Sequence, residues 1–241
     1  MLQNELAEAV AQKVGAATSI AEKPEKKINP EAHDAYLLGR YYWFAGEYEK
    51  SRPLFQKAVD LQPDYAAGWS GLADAYCANA ASGEEPPEAV MPQCEAAAKK
   101  AVALDDSLAE AHTALAANYL FHRWDFVAAE RESAKAVALN PSNAQAHGLR
   151  SNVLSVLHRY EESVQEEAKA MELDPFADPS GMVSALLNAR RFDAAVEEAR
   201  LRIAAQPNLG ILHATLAEAY LFKGMDKEAE AEFEKLEAEA R

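Results

Sequence analysis

The sequence predicts an all-α, right-handed α-solenoid of about six helical hairpins preceded by a short amphipathic helix, and three observations lead there. First, one phrase recurs. It reads A-x2-L-G-x2-Y from Ala35 (Leu38, Gly39, Tyr42), W-x2-L-A-x2-Y from Trp69, and H-x2-L-A-x2-Y from both His112 and His213. Second, helix stops recur at Leu61-Gln62-Pro63, Leu104-Asp105-Asp106, Leu139-Asn140-Pro141, Leu173-Asp174-Pro175 and Ala205-Gln206-Pro207. Their spacing is close to the 34 residues of a stacked helical hairpin. Third, the composition is 49% hydrophobic, much of it Ala, with only 10 Gly and 11 Pro, which favours helix. A stacked array grows unit by unit and has no single core.

The elements follow in order. Residues 1–14 place Leu2, Leu6, Val10 and Val14 on one helical face, and residues 15–31 are polar and Pro-containing, which suits a linker. The array occupies 32–241, with units at about 32–65, 66–108, 109–143, 144–177, 178–209 and 210–241. In the first unit, Ala45-Gly46-Glu47 separates two helices, Tyr42 and Phe55 are expected to plug between them, and Gly39 and Ala58 allow close approach. The second unit is about nine residues long for the template. The surplus around Asn79 to Pro92 is expected as a longer loop and a lengthened second helix, kinked at Pro92. The third has one extra residue at its turn, where Trp124 and Phe126 are expected to staple the helices. The fourth is eroded in its first helix (His147, Arg150, Ser151, Leu154), and Asp178-Pro179-Ser180-Gly181 trims the first helix of the fifth. The sixth ends on Ala229, Phe233 and Leu236, a narrow apolar stripe with a charged back, as a terminal helix needs.

Charge and chemistry narrow the function. Net charge is -15. The first 30 residues are balanced, so the excess acid lies in the repeats and repels nucleic acid. No apolar run is long enough to span a membrane. Cys77 and Cys94 have no metal-binding spacing and are expected as two small buried hydrophobes; the alternative, a disulfide, implies an oxidising compartment. Of the 6 His, His112, His147 and His213 hold one slot in three units, which points to packing, and they lie too far apart to share a metal. The pairs Glu161-Glu162 and Glu166-Glu167 read as solvated helix backs. There is no phosphate loop, nucleophile elbow or HExxH. The expectation is therefore no enzyme, no cofactor and no metal.

These motifs resemble the tetratricopeptide repeat family across almost the whole chain. The resemblance implies a non-catalytic interaction module whose first helices line a concave groove for an extended or helical peptide or a partner domain. Its groove slots fall on Tyr36, Arg40, Trp43, Phe44, Asp74, Thr113, Phe121, Asn152, Glu218 and Phe222, with Ser70, Glu110 and Val156 in the same rows. One subclass grips a chaperone's C-terminal carboxylate with Lys, Arg and Asn. Here Arg40 is the lone basic residue and Asn152 is distant, so the chain departs from that pattern. A hydrophobic or partly basic partner suits the acidic rim.

A narrower similarity is carried by INPEAHDAYLLGRYYWFAGEYEKSRPLFQKAVDLQPDYAAGWSGLADAY, by EEPPEAVMPQCEAAAKKAVALDDSLAEAHTALA and by RWDFVAAERESAKAVALNP. They resemble the repeat region of bacterial signalling proteins that begin with a CadC-like winged helix or a serine/threonine kinase module, and LQNELAEAVAQKV resembles the helix closing their TolB-like segment. This implies a signalling or transcription-regulatory setting, an effector domain of the same polypeptide as one candidate partner, and either side of an inner membrane as the location. The alternative function is an assembly or homo-oligomerisation scaffold acting through the N-terminal helix or the array edge.

Overall fold

The computed structural model describes residues 27–83, 85–175 and 178–239. The expected helix at 1–14 and most of the expected linker lie outside them; the last two linker residues, Pro30 and Glu31, already belong to the first helix. Within the described residues there are twelve α-helices and no strand. They pair as hairpins: α1 (Pro30–Phe44) with α2 (Tyr48–Leu61), α3 (Ala66–Ser82) with α4 (Pro87–Leu104), and α5 (Ala109–Asn118) with α6 (Phe126–Leu139). Then come α7 (Ala144–Val156) with α8 (Tyr160–Leu173), α9 (Gly181–Asn188) with α10 (Phe192–Ala205), and α11 (Gly210–Phe222) with α12 (Asp226–Glu239). The fold is an all-α helical repeat solenoid.

The stops end their helices as expected. α2, α4, α6, α8 and α10 finish at Leu61, Leu104, Leu139, Leu173 and Ala205. The residue after each is turned out of the helix, and its N–H still reaches the carbonyl four residues back. Short polar side chains then start the next helix: Asn143 accepts from Ala146 N–H and Asp178 from Gly181 N–H. Inside every hairpin, the turn needs one left-handed residue. Gly46, Gly83 and Gly224 supply it, but so do Trp124, His158 and Arg190 (φ 56°, 61° and 59°).

First helices pack on the first helices of neighbouring units, whereas second helices pack on first helices. The first helices are therefore closer together and line the inner side of the stack. The core follows the same logic. Phe55 is fully buried between α1 and α3, and a Cβ at Gly39 or Gly71 would come within 2.8 or 2.5 Å of its ring. Tyr42 does not share that place. It is half-buried, edge-on to Tyr41, with the Lys50 ammonium over its face.

Four expectations need correction. The second helix of the second unit is lengthened as expected, to 18 residues in α4 with Pro92 inside it, but the rest of the surplus extends α3 to 17 residues and does not form a long loop. The longer hairpin brings Cys77 and Cys94 to a Cα separation of 5.7 Å, where they form a disulfide rather than two thiols. In the third unit the extra residue is absorbed by a π-helical turn at Tyr119–Arg123, which swings Trp124 into solvent. Only Phe126 packs inward, against Ala129 and Val153 among others. The fourth unit is not eroded in structure: His147, Ser151 and Leu154 are all buried in α7. The fifth is trimmed as expected, with an 8-residue α9. No described helix is long and apolar enough to cross a membrane.

Candidate partner-binding groove

The inner faces of α1, α3 and α5 meet at a mixed aromatic and charged cluster. Tyr36 leaves α1 and packs its ring on Phe55 and Tyr65, with centroids 5.9 and 5.5 Å away. One turn on, Arg40 reaches across to α3, where its Nη1 lies 3.3 Å from Asp74 Oδ2. The same guanidinium lies over Phe44 at 4.6 Å and Trp43 at 5.3 Å, close enough for cation–π attraction. Asp74 is buried, and burial pushes its carboxyl up to about 7; Arg40 opposes the shift and Glu110 of α5 adds to it. Burial likewise raises the Tyr36 hydroxyl, with Glu110 and Asp74 adding to the rise and Arg40 opposing it. Three adjacent first helices thus feel one electrostatic site.

Two polar atoms here are buried with no hydrogen-bond partner among the described residues, Trp43 Nε1 on α1 and Ser70 Oγ on α3. Such groups are uncommon in folded proteins. Further along the stack, one slot repeats an apolar side chain in solvent. Phe44, Phe121, Val156 and Phe222 occupy the equivalent position of the first, third, fourth and sixth units, and all four are exposed. Ala78, half-buried, holds it in the second, beside the Cys77–Cys94 bond.

Residues 35–65 match the family model of the tetratricopeptide repeat. The array has the fold of a tetratricopeptide-repeat solenoid. It is similar to a tetratricopeptide repeat protein from Parabacteroides merdae ATCC 43184, at 15% identity and TM-score 0.58, covering 88% of this chain and 80% of that one. It is also similar to TTC0263, a TPR protein of Thermus thermophilus, at 19% identity and TM-score 0.63, covering 79% of this chain and 99% of that one. A third similar structure is YrrB, described as a TPR protein with an unusual peptide-binding site, at 19% identity and TM-score 0.52, covering 77% and 91%. No curated protein sequence matches the chain. The fold is that of protein-interaction modules, typically non-catalytic scaffolds.

Within this array, the ten groove residues expected from the sequence divide. Tyr36, Arg40, Trp43, Phe44 and Asp74 converge on the cluster just described. Phe121 and Phe222 continue the apolar row, with Phe222 stacked on Phe192 at 5.5 Å. Asn152 and Glu218 are exposed, in later units. Thr113 is buried, and its hydroxyl proton is already donated to the Ala109 carbonyl of its own helix. Among the described residues there is no group of His, Cys, Asp or Glu that could hold a metal ion.

The three equivalent histidines hold the units together. Each sits on a first helix with Nε2 on the backbone carbonyl six residues back: Asp106 for His112, Pro141 for His147 and Pro207 for His213. Each Nδ1 meets a glutamate of the hairpin's second helix, Glu132 at 2.7 Å, Glu166 at 2.6 Å and Glu232 at 2.6 Å. Trp69 holds the same slot, and its Nε1 donates to the Pro63 carbonyl at 2.9 Å. The constant feature is a ring N–H aimed at the carbonyl of the preceding stop. The glutamates were not legible in the sequence. Glu166, expected in solvent, is bonded to His147 and Arg150, and its neighbour Glu167 is fully buried against Gly181.

Proposed function

We propose that the array binds a protein or peptide segment along the inner faces of its first helices, with apolar side chains on the row Phe44–Phe121–Val156–Phe222 and a polar group at Arg40, Asp74 and Glu110. The observation that carries this reading is the row itself. Four apolar side chains at one slot of four units stay exposed, and they line the inner side of the stack. The buried, unpartnered Trp43 Nε1 and Ser70 Oγ support an acceptor and a donor arriving from a partner. The peptide-binding site of YrrB supports the same use of a shared fold.

The net charge of -15 favours a segment that carries basic residues beside its apolar ones. The proposal includes the setting implied by the sequence resemblance, a bacterial signalling or transcription-regulatory protein, in which an effector domain of the same polypeptide is one such partner. No residue of the groove is assigned a catalytic role.

Selection from a random peptide display library tests the reading. Peptides alternating apolar and basic residues are expected to enrich. Phe44→Ala with Phe121→Ala should weaken their binding at least tenfold without changing the melting temperature, since both side chains are exposed. Leu201→Ala, equally exposed on a second helix, should leave binding unchanged. Equal loss in both variants would refute the groove.

A further inference from the structure

The first helix of the array lacks the cover that the later first helices have. In the second unit, Gly68, Gly71, Leu72 and Ala75 lie buried beneath α2, the second helix of the unit before. The same four slots are buried in the third unit (Ala111, Ala114, Leu115, Asn118) and in the sixth (Leu212, Thr215, Leu216, Ala219). The fourth follows with Ala146, Leu149 and Val153 buried and Arg150 half-buried. In the first unit these slots are Asp34, Leu37, Leu38 and Tyr41, and nothing among the described residues lies over them. Leu37 is 51% exposed, Leu38 46% and Tyr41 66%, against 2% for Leu72, 4% for Leu115 and 3% for Leu216. The face is shaped and coloured for a helix that would be the second helix of a preceding unit.

We propose that residues 2–14 of this chain dock as a helix on Leu37, Leu38 and Tyr41 and close the array. The occupant is argued from three facts. The described chain begins at Lys27, three residues before α1, so the preceding segment must leave from the end of α1 at which each second helix hands over to the next first helix. Leu2, Leu6, Val10 and Val14 repeat every fourth residue, which gives one apolar stripe, while Glu5, Glu8 and Gln12 fall elsewhere. A 13-residue helix is roughly 20 Å long, close to the length of α1 and of the 14-residue α2. A tethered segment also acts at an effective concentration on the order of millimolar. A second copy of the chain would have to compete from solution.

A spin label tests this in the full-length chain. Both native cysteines are in the Cys77–Cys94 bond, so Gln12→Cys adds a single free thiol, on the polar side of the stripe. With a nitroxide on it, the methyl signals of Leu37 and Leu38 should be lost, and Leu6→Asp with Val10→Asp should restore them. In a mixture of isotope-free labelled chain and isotope-enriched unlabelled chain, the signals should survive. Intact signals in the first sample would overturn the proposal. So would loss of signal in the mixture, which would make a second copy the occupant.

Discussion

Glu132 and Asp74 are both buried carboxylates on helices of the same array, and their proton affinities are shifted in opposite directions. Glu132 sits at a shoulder between first and second helices. Burial pushes its carboxyl up, but hydrogen bonds from His112 and Arg131 outweigh that and hold it below the ordinary value. Glu232 behaves likewise, with Lys235 and His213 outweighing burial. Asp74 sits in the groove, where one guanidinium at 3.3 Å does not offset burial and the nearby Glu110, and it rises to about 7. Glu167 joins it on that side, raised to about 7 by burial and by Asp178, against the pull of Ser151 and Arg202. The state of a carboxylate is therefore set by how deeply it is buried and by the donors set against that burial. The shoulders use their charges as joints, and in the groove the Asp74 carboxyl is raised to about 7.

The most severe way to break this contrast is to empty a joint. His112→Ala removes the ring that bonds both Glu132 and the Asp106 carbonyl, and leaves Glu132 buried with only Arg131. The expected loss is about 3 kcal/mol of unfolding free energy, in the range for breaking a buried pair, measured by urea denaturation. His112→Trp sharpens the reading. It restores the ring N–H to the carbonyl, as Trp69 does for Pro63, but not the partner of Glu132. It should recover part of the loss and no more. Full recovery would mean that the carboxylate contributes nothing.

Acid distinguishes the two regions next. Glu132 and Glu232 have folded values below their unfolded ones, so their stabilisation is present above the ordinary carboxylate value and is lost as pH falls through the folded values. Glu167 and Asp74 have raised values. Their contribution is complete below the unfolded values and fades as pH rises through about 7. The array should therefore lose stability on both sides of a mildly acidic optimum. Glu167→Gln keeps the shape of a side chain packed against Gly181 but removes the charge. From pH 5 to pH 8 it should lose about 2 kcal/mol less than the unmodified chain, since each tenfold change in proton affinity is worth about 1.4 kcal/mol. An identical slope in thermal melts across that range would contradict the raised value.

Much of the scaffold was legible in the sequence. The stops at Pro63, Pro141 and Pro207 end helices because proline cannot continue them, and that rule is local. The joints were half legible. The repeated slot of His112, His147 and His213 marked packing, but the glutamates they meet lie about twenty residues on, in runs of acid that look uniform. Glu166 and Glu167 are neighbours in sequence and point about 100° apart. Which one meets the histidine and which one is buried against Gly181 depends on where α7 and α9 lie, and no local pattern carries that. The same holds for the second unit. Whether surplus residues form a loop or lengthen both helices decides whether Cys77 and Cys94 face each other, and composition favours either outcome. At the third turn, one extra residue became a π turn and turned Trp124 outward. In the groove, slot arithmetic located Phe44, Phe121, Val156 and Phe222 on one row, but it could not tell that the hydroxyl of Thr113 is already used by its own helix.

The mildest perturbation bears most directly on the groove. Asp74→Asn replaces a carboxyl that is mainly protonated at pH 6 with a group of the same shape. At that pH the expected change in stability is under about 0.5 kcal/mol, within the range for substitutions that leave packing intact. At pH 8 the unmodified chain carries a buried charge facing Arg40, and the asparagine variant does not, so the two stabilities should diverge. The direction separates two physical accounts. If the variant becomes the more stable, burial outweighs the Arg40 pair and the native groove holds Asp74 at a cost, as binding sites do. If it becomes the less stable, the 3.3 Å pair outweighs burial, Asp74 is a joint like Glu132, and the contrast between shoulder and groove disappears.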